Sequence, residues 1–369
     1  MRARRASSLI VGLVLCVAAV SAQEVLRYPG QNAALEDRWN WASREGVRVA
    51  DGRDFWIGYS IKRLMSEGSF INSGTFVDGG WEHSRNLYDI ISGDSAGHAP
   101  MRWTSDGGDK SNILRVIKEV SVLLMFSGDP NENGSLKRVE LSSMELHVNL
   151  QHKTLMWLGS ADDDQSVSLL KEQFDRRVPA AVRKELVTAI GIHQNGAAVF
   201  GILRNVLKND EADDVRSQAA FWLSQQGKPD GLTVLLEAAE NDRSQRVKEQ
   251  AVFAVSQLQT EESLDALIAL AKSARDSKVR GKAAFWLGQR ASQKAISTLE
   301  SILTDDDQTE VQRQALYALA QIHTSDGVDR LIKIARTHPN PRIRKQAIQC
   351  LGQTDDPKAV DALIAIVRH

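Results

Sequence analysis

The chain has 369 residues, is 42% hydrophobic and 25% charged, and carries a formal net charge of −1, the composition of a folded protein and not of a disordered or fibrous one. Neither residues 23–146 nor residues 147–369 hold the excess of Lys and Arg that phosphate neutralisation demands, which argues against nucleic acid as the main partner, and none is expected. Two cysteines, Cys16 and Cys350, are too few for a disulfide framework, so the fold has to rely on its core.

The first element in chain order is a targeting segment. Arg2, Arg4 and Arg5 precede an unbroken apolar run from Leu9 to Val20, and Val20-Ser21-Ala22 places small residues at a cleavage position. The run is shorter than the roughly 20 residues that span a bilayer. A signal peptide over residues 1–22 is therefore expected, with cleavage near Ala22 and a mature chain in the periplasm or outside the cell. Losing the three arginines moves the net charge from −1 to −4. No later stretch reaches membrane length, so no transmembrane segment is expected in the mature chain.

Residues 23–147 read as a small antiparallel β or α+β domain. Ala33 to Arg44 suits a short helix. From Asp54 to Arg63, Phe55, Ile57, Tyr59 and Ile61 alternate with Trp56, Gly58, Ser60 and Lys62, the period of a strand. Val116 to Phe126 and Leu136 to Leu141 are further strands, separated by the turn formers of Ser127 to Ser135. Residues 72–112 are rich in Gly, Ser and Asp. Trp39, Trp41, Trp56, Trp81 and Trp103 all lie in this half. Large aromatics fill small cores, but Trp81 and Trp103 are also candidates for a peptide- or sugar-binding surface.

From residue 148 to the end an internal repeat takes over. Val182, Val215, Val247, Val279, Val311 and Ile343 recur at 32 or 33 residues. Four positions after each anchor stand Leu186, Ala219, Ala251, Ala283, Ala315 and Ala347; nine after, only Gly191, Ser224, Ser256, Gly288, Ala320 and Gly352. Positions 0, +4, +7 and +8 share one stripe of a helix. The small residue at +9 is expected to end that helix, and a second stripe at +17, +20 and +21 marks a partner helix. Pro179, Pro229, Pro339, Pro341 and Pro357 fall at or just before helix starts. Anchoring on Leu150 extends the register back through Trp157, Leu158 and Gly159, giving about seven helix pairs over residues 148–369. The array ends directly after its last apolar stripe, so pairing with a second copy through the terminal repeat is expected.

The V-R starts (Val182-Arg183, Val215-Arg216, Val279-Arg280, Ile343-Arg344) and the A-x-x-x-L-G run of Ala347 to Gly352 resemble the HEAT-repeat family, in its short phycobilin-lyase-subunit variant. The resemblance implies a mainly α fold, a right-handed α-solenoid. It also implies a range of roles, from adaptors and assembly factors to lyase subunits. A di-iron hydroxylase branch of HEAT-like proteins uses His-Glu dipeptides, which this sequence does not contain.

The residues themselves present no catalytic constellation. His147 and His152 are five apart, a poor spacing on a helix for a metal. Asp162-Asp163-Asp164 and Asp305-Asp306-Asp307 lack the spaced pattern of a calcium loop and suit helix starts. Asp78, Asp94 and Asp106 sit in a Gly-rich stretch where turn formation is expected, with calcium binding in an exported protein as the alternative. Cys350 occupies a core position of its repeat. The cations at +1 (Arg183, Arg216, Lys248, Arg280 and Arg344) are expected to pair with nearby acids such as Asp214 and Asp276. Arg330 and Lys333, on a second helix, are candidate partner contacts. No cofactor is expected. The function these features favour is binding of another protein or peptide by the solenoid; the alternatives are a carbohydrate- or peptide-recognition module in residues 23–147, and a lyase-like enzyme or enzyme subunit.

Overall fold

The computed structural model describes residues 24–30, 33–73, 85–92, 115–132, 134–194, 196–290, 292–322, 327–354 and 356–367. The expected signal peptide lies outside them, as do Trp81, Trp103, Asp78, Asp94 and Asp106. In the first half the elements are β1 (Val25–Arg27), α1 (Leu35–Ala50), β2 (Phe55–Ser66), β3 (Arg85–Asn86), α2 (Leu87–Ser92), β4 (Arg115–Phe126), β5 (Leu136–Ser143), β6 (His147–Val148) and β7 (Leu155–Ser160). A lone helix, α3 (Asp163–Asp175), then leads into six pairs. These are α4 (Ala180–Gly191) with α5 (Gly196–Asn209), α6 (Asp213–Gln225) with α7 (Asp230–Asn241), and α8 (Gln245–Gln257) with α9 (Glu261–Ser273). Next come α10 (Ser277–Arg290) with α11 (Gln293–Asp305), α12 (Thr309–Gln321) with α13 (Gly327–Thr337), and α14 (Pro341–Leu351) with α15 (Pro357–Val367).

The main sheet is ordered β1-β7-β2-β4-β5, and β3 pairs with β6 in a separate ribbon. β2 and β4 form a long antiparallel ladder, from Phe55 opposite Phe126 to Ser66 opposite Arg115. The sheet is mixed, however, because β7 runs parallel to both β1 and β2. This corrects two expectations. Trp157, Leu158 and Gly159 belong to a strand and not to a first repeat helix, and Gly159 has φ +80°. The boundary at 147/148 therefore cuts the sheet, whose strand between β1 and β2 comes from Leu155–Ser160.

Both faces of β2 are covered, which is why its alternation does not separate buried from exposed positions. Phe55, Ile57, Tyr59 and Ile61 join a core shared with α1, α3 and the repeats. Trp56 turns to a second core with Leu87, Ile90, Leu123, Leu155 and Trp157, closed by α2. Its indole N–H donates to Leu150 O at 3.2 Å.

In the repeats every anchor from Val182 to Ile343 is buried, as are Ala219, Ala251, Ala283, Ala315 and Ala347. Pro179 and Pro229 are the N-caps of α4 and α7, and Pro341 and Pro357 open α14 and α15. One core runs without a break from Leu35 to Ala359. On α15, Val360, Ile364 and Val367 lie along one face at 52%, 46% and 84% exposure. No helix among the described residues is long and apolar enough to cross a membrane.

The small residue at +9 has a different cause from the one expected. Gly288 lies inside α10, and Gly352, the C-cap of α14, keeps right-handed dihedrals with φ −67°. The constraint is close approach. A Cβ on Gly191 would come within 2.3 Å of the Trp222 ring, and one on Gly288 within 2.8 Å of Ala318 Cβ and 3.0 Å of Ala318 Cα. Trp222 and Ala318 are the +7 residues of the following repeats, so the first helices of neighbouring repeats nest at this point.

Candidate interaction surfaces and the buried polar joint

Two charge ladders run along the array. The first is built by the +1 cations. Four of them reach the loop that leads from their own repeat into the next; of the two acids expected, Asp276 meets Lys248 and Asp214 meets no +1 cation. Arg183 makes a two-pronged bond to Asp210 (2.9 and 3.1 Å), Arg216 to Asp242 (2.9 and 2.9 Å) and Arg280 to Asp306 (2.7 and 3.2 Å). Lys248 stands 3.8 Å from Asp276. Asp214 pairs with Arg246 and not with a +1 residue. The aspartates do a second job, because each accepts a hydrogen bond from the backbone N–H two residues on and so closes the turn: Ala212 on Asp210, Ser244 on Asp242, Lys278 on Asp276, Gln308 on Asp306. Arg344 donates to His338 O at 2.8 Å. The Asp210 carboxylate holds the Arg183 guanidinium above its ordinary value, as Asp306 does for Arg280.

The second ladder joins successive second helices: Lys208 to Glu237 (3.6 Å), Asp265 to Lys294, Glu300 to Arg330, and Asp329 to Lys358 (3.0 Å). Arg330, a candidate partner contact, is thus also a rung of the array, its side chain 26% exposed. Lys333 is exposed on the same helix. Asp305, Asp306 and Asp307 border an open groove of about 740 Å³ together with Lys272, Arg275 and Arg280. Cations and carboxylates face one another across it.

A third arrangement links the sheet to the repeats, and sequence spacing gave no hint of it. His193, just after α4, approaches Ala189 O at 2.7 Å through Nδ1 and Ser166 Oγ at 2.7 Å through Nε2. A carbonyl only accepts, so Nδ1 carries the proton and Nε2 accepts from Ser166. Ser166 Oγ lies 2.8 Å from the Tyr59 hydroxyl. Beside this chain, Arg63 of β2 donates to Ile192 O (2.8 Å) and to Asp163 Oδ1 (2.6 Å), while Asp163 Oδ2 accepts from Gln194 N. Burial and the nearby Arg63 charge lower the His193 pKa to about 4, and burial raises that of Tyr59. A serine on a histidine is the pairing of a nucleophile with its base. Here Tyr59 and Ser166 are wholly buried and His193 is 2% exposed, so no substrate reaches them. The cluster fixes α3 and α4 onto the sheet.

The acidic runs are also absorbed. Asp162 caps α3 by accepting from Gln165 N at 2.8 Å, and Asp163 serves the joint. Cys350 is buried, and burial pushes its thiol pKa up. At the sheet edge Glu185 of α4 accepts from Val139 N at 2.7 Å, which blocks the open side of β5. Among the described residues no group of three or more His, Cys, Asp or Glu is placed to hold a metal.

A sequence model of HEAT repeats matches residues 201–288, 267–336 and 296–369, so this part of the array consists of HEAT repeats. No curated protein matches the chain. Among solved structures, human deoxyhypusine hydroxylase in complex with glycerol is similar at 17% identity and TM-score 0.27, covering 55% of this chain and 85% of that one. The complex of CpcE and CpcF of phycocyanin lyase from Nostoc sp. PCC7120 is similar at 20% identity and TM-score 0.32, covering 42% of this chain and 97% of that one.

Proposed function

We propose that this HEAT-repeat protein is an exported, non-catalytic scaffold that holds another protein or peptide on the surface of its repeats. The observation that carries this reading is the unbroken core from Leu35 to Ala359. Stacked repeats that share one core present an extended, stiff surface, and the Tyr59–Ser166–His193 joint makes the sheet part of the same body. A binder whose surface is already ordered loses little conformational freedom on association. Export is supported by the arginines at 2, 4 and 5 and the apolar run from Leu9 to Val20. A mature mass that starts at Gln23 is the expected result, and an intact Met1 start in the exported fraction would refute it.

The partner is tested by site-specific photo-crosslinking in the producing cell. A crosslinking side chain at Lys333 or at Glu237, both exposed on second helices, is expected to trap one discrete polypeptide. Adducts obtained only from sheet positions such as Lys62, or from none, would overturn the proposal. The same proposal includes self-pairing through Val360, Ile364 and Val367 of α15. Ile364→Asp is expected to convert a sedimenting dimer to a monomer, and a wild-type monomer at tens of micromolar would refute the pairing.

A further inference from the structure

We infer that the face shared by α6, α8, α10 and α12 is a docking track for an extended, uncharged polypeptide segment. The inference rests on the reading that the repeats bind a polypeptide, and it names the surface and the chemistry of the occupant. At about 100° per residue, positions +3, +6 and +10 fall within a sector of roughly 60° on each first helix. Position +6 is aromatic four times running: Phe221, Phe253, Phe285 and Tyr317, all half-buried. Position +10 is Gln225, Gln257, Gln289 and Gln321 in the same helices, and +3 is Gln218, Gln250, Lys282 and Gln314. In a chain that is 25% charged, Lys282 is the one ionised residue among these twelve. It lies over the Phe285 ring, and Arg313 borders the track over Tyr317 while paired to Glu310. Of the two ladders described above, the first turns its +1 cations into the loops between repeats and the second lies on the second helices.

The twelve positions hold no carboxylate to pair a cation and one cation, Lys282, to pair an anion, and the rings of Phe285 and Tyr317 already carry Lys282 and Arg313, so a charged occupant would lose hydration with little to replace it. The geometry separates the two neutral polymers that remain. The Phe221 and Phe253 rings stack 6.4 Å apart and 4° from parallel, so each spends a face on the other, whereas a sugar ring needs an open aromatic face. The 6.4 Å step instead matches two residues of an extended chain, about 6.4–6.8 Å. Alternate side chains of a strand would then meet Phe221 and Phe253. The amide NH2 groups of Gln225 and Gln257 already donate to Ser224 Oγ (3.1 Å) and Ser256 Oγ (3.3 Å), and Gln289 donates to Gln321 Oε1 (3.0 Å). That leaves the carbonyl oxygens of Gln225 and Gln257 as acceptors for backbone N–H groups of the occupant.

The test pans a random dodecapeptide display library on the full chain and on the double variant Gln225→Glu, Gln257→Glu, whose circular dichroism and melting should match the parent. Enriched peptides are expected to be uncharged with an apolar residue at every second position, and synthetic copies should bind the variant at least tenfold more weakly. Enrichment of charged peptides, absence of the alternation, or equal affinity for the variant would overturn the inference. So would binding of chitohexaose that the double variant abolishes. If the inference fails in these ways while Lys333 and Glu237 still crosslink a discrete polypeptide, the scaffold reading stands and only the placement on this face is lost.

Discussion

Replacing Arg216 by methionine tests whether the loop ladder holds the array together. The Arg216 side chain is 1% exposed and that of Asp242 is 8% exposed. The guanidinium makes two bonds to Asp242 and two more, at 2.9 and 3.0 Å, to Asp210 O and Glu211 O. Those two carbonyls would keep a donor in the variant, because Arg243 also reaches both, at 2.8 and 3.0 Å. The loss therefore concentrates on the Asp242 carboxylate, left buried with the Ser244 N–H at 2.7 Å as its donor. Removing one member of a buried pair costs about 3–5 kcal/mol, mostly through the stranded charge. Lys248→Met removes a 3.8 Å contact between side chains 19% and 29% exposed, so its loss should stay below about 1 kcal/mol.

The assay is urea unfolding followed by circular dichroism, with hydrogen exchange by mass spectrometry to locate the opening, since repeat arrays need not unfold in one step. Exchange should accelerate first in α6, α7 and the Asp242 loop. A loss below about 1 kcal/mol for Arg216→Met would refute the reasoning, because that is the range of exposed pairs. Equal losses for Arg216→Met and Lys248→Met would refute it as well.

Three further outcomes follow from the packing and the joint. Gly288→Ala should cost about 1–3 kcal/mol, because Ala318 backbone atoms lie 3.0 Å from the new Cβ, whereas Gly352→Ala, with its nearest atom at 3.5 Å, should stay within about 0.5 kcal/mol in the same unfolding assay; equal effects would restore helix termination as the reason for +9. His193 binds its proton less readily folded than unfolded, so its contribution is complete above its ordinary value of 6.5 and is lost as pH falls toward 4. That loss amounts to about 3 kcal/mol, and a His193→Gln variant should show a flatter melting profile between pH 6.5 and 4; identical profiles would rule it out. Leu287→Ala, at a wholly buried site, should cost about 2–5 kcal/mol in urea unfolding, and a loss under about 0.5 kcal/mol would reject the register.

The repeats were legible because a 32-residue period writes the same buried face many times, so single exceptions do not hide it. The same strength misled at Leu150. Strand β7 is covered on both sides, and a short run buried on both sides looks apolar in any register. Leu155 to Leu158 therefore imitated the end of a repeat helix, while Val167 and Leu170, which stand where the second stripe counted from Leu150 falls, do sit on helix α3. The turn at Gln151-His152, both at φ +56°, was the local sign against a helix there. The parallel pairing of β2 with β7 joins residues about a hundred positions apart, and no local pattern announces it. The joint suffers the same fate: Tyr59, Arg63, Asp163, Ser166 and His193 come from a strand, a helix and a loop, and each is ordinary in its own neighbourhood.

The loop ladder was half legible, and its exception shows which half matters. Cations at +1 repeat visibly, but their acids follow at 26 or 27 residues for Arg216, Arg280 and Arg183 and at 28 for Lys248, a drift that made Asp214 look as good as Asp210. In the fifth pair the two charges vanish together. Gln312 stands at +1 and donates to Asp306 O at 2.9 Å, and His338 stands where the aspartate would be. His338 Nδ1 accepts from Asn340 N at 3.1 Å, two residues on, and its Nε2 donates to Leu303 O at 2.7 Å. The acceptor that closes the turn survives the loss of the ion pair. What the joint between repeats requires is thus a side chain that takes the i+2 N–H, and the arginine is an addition that compensates the charge when that side chain is a carboxylate.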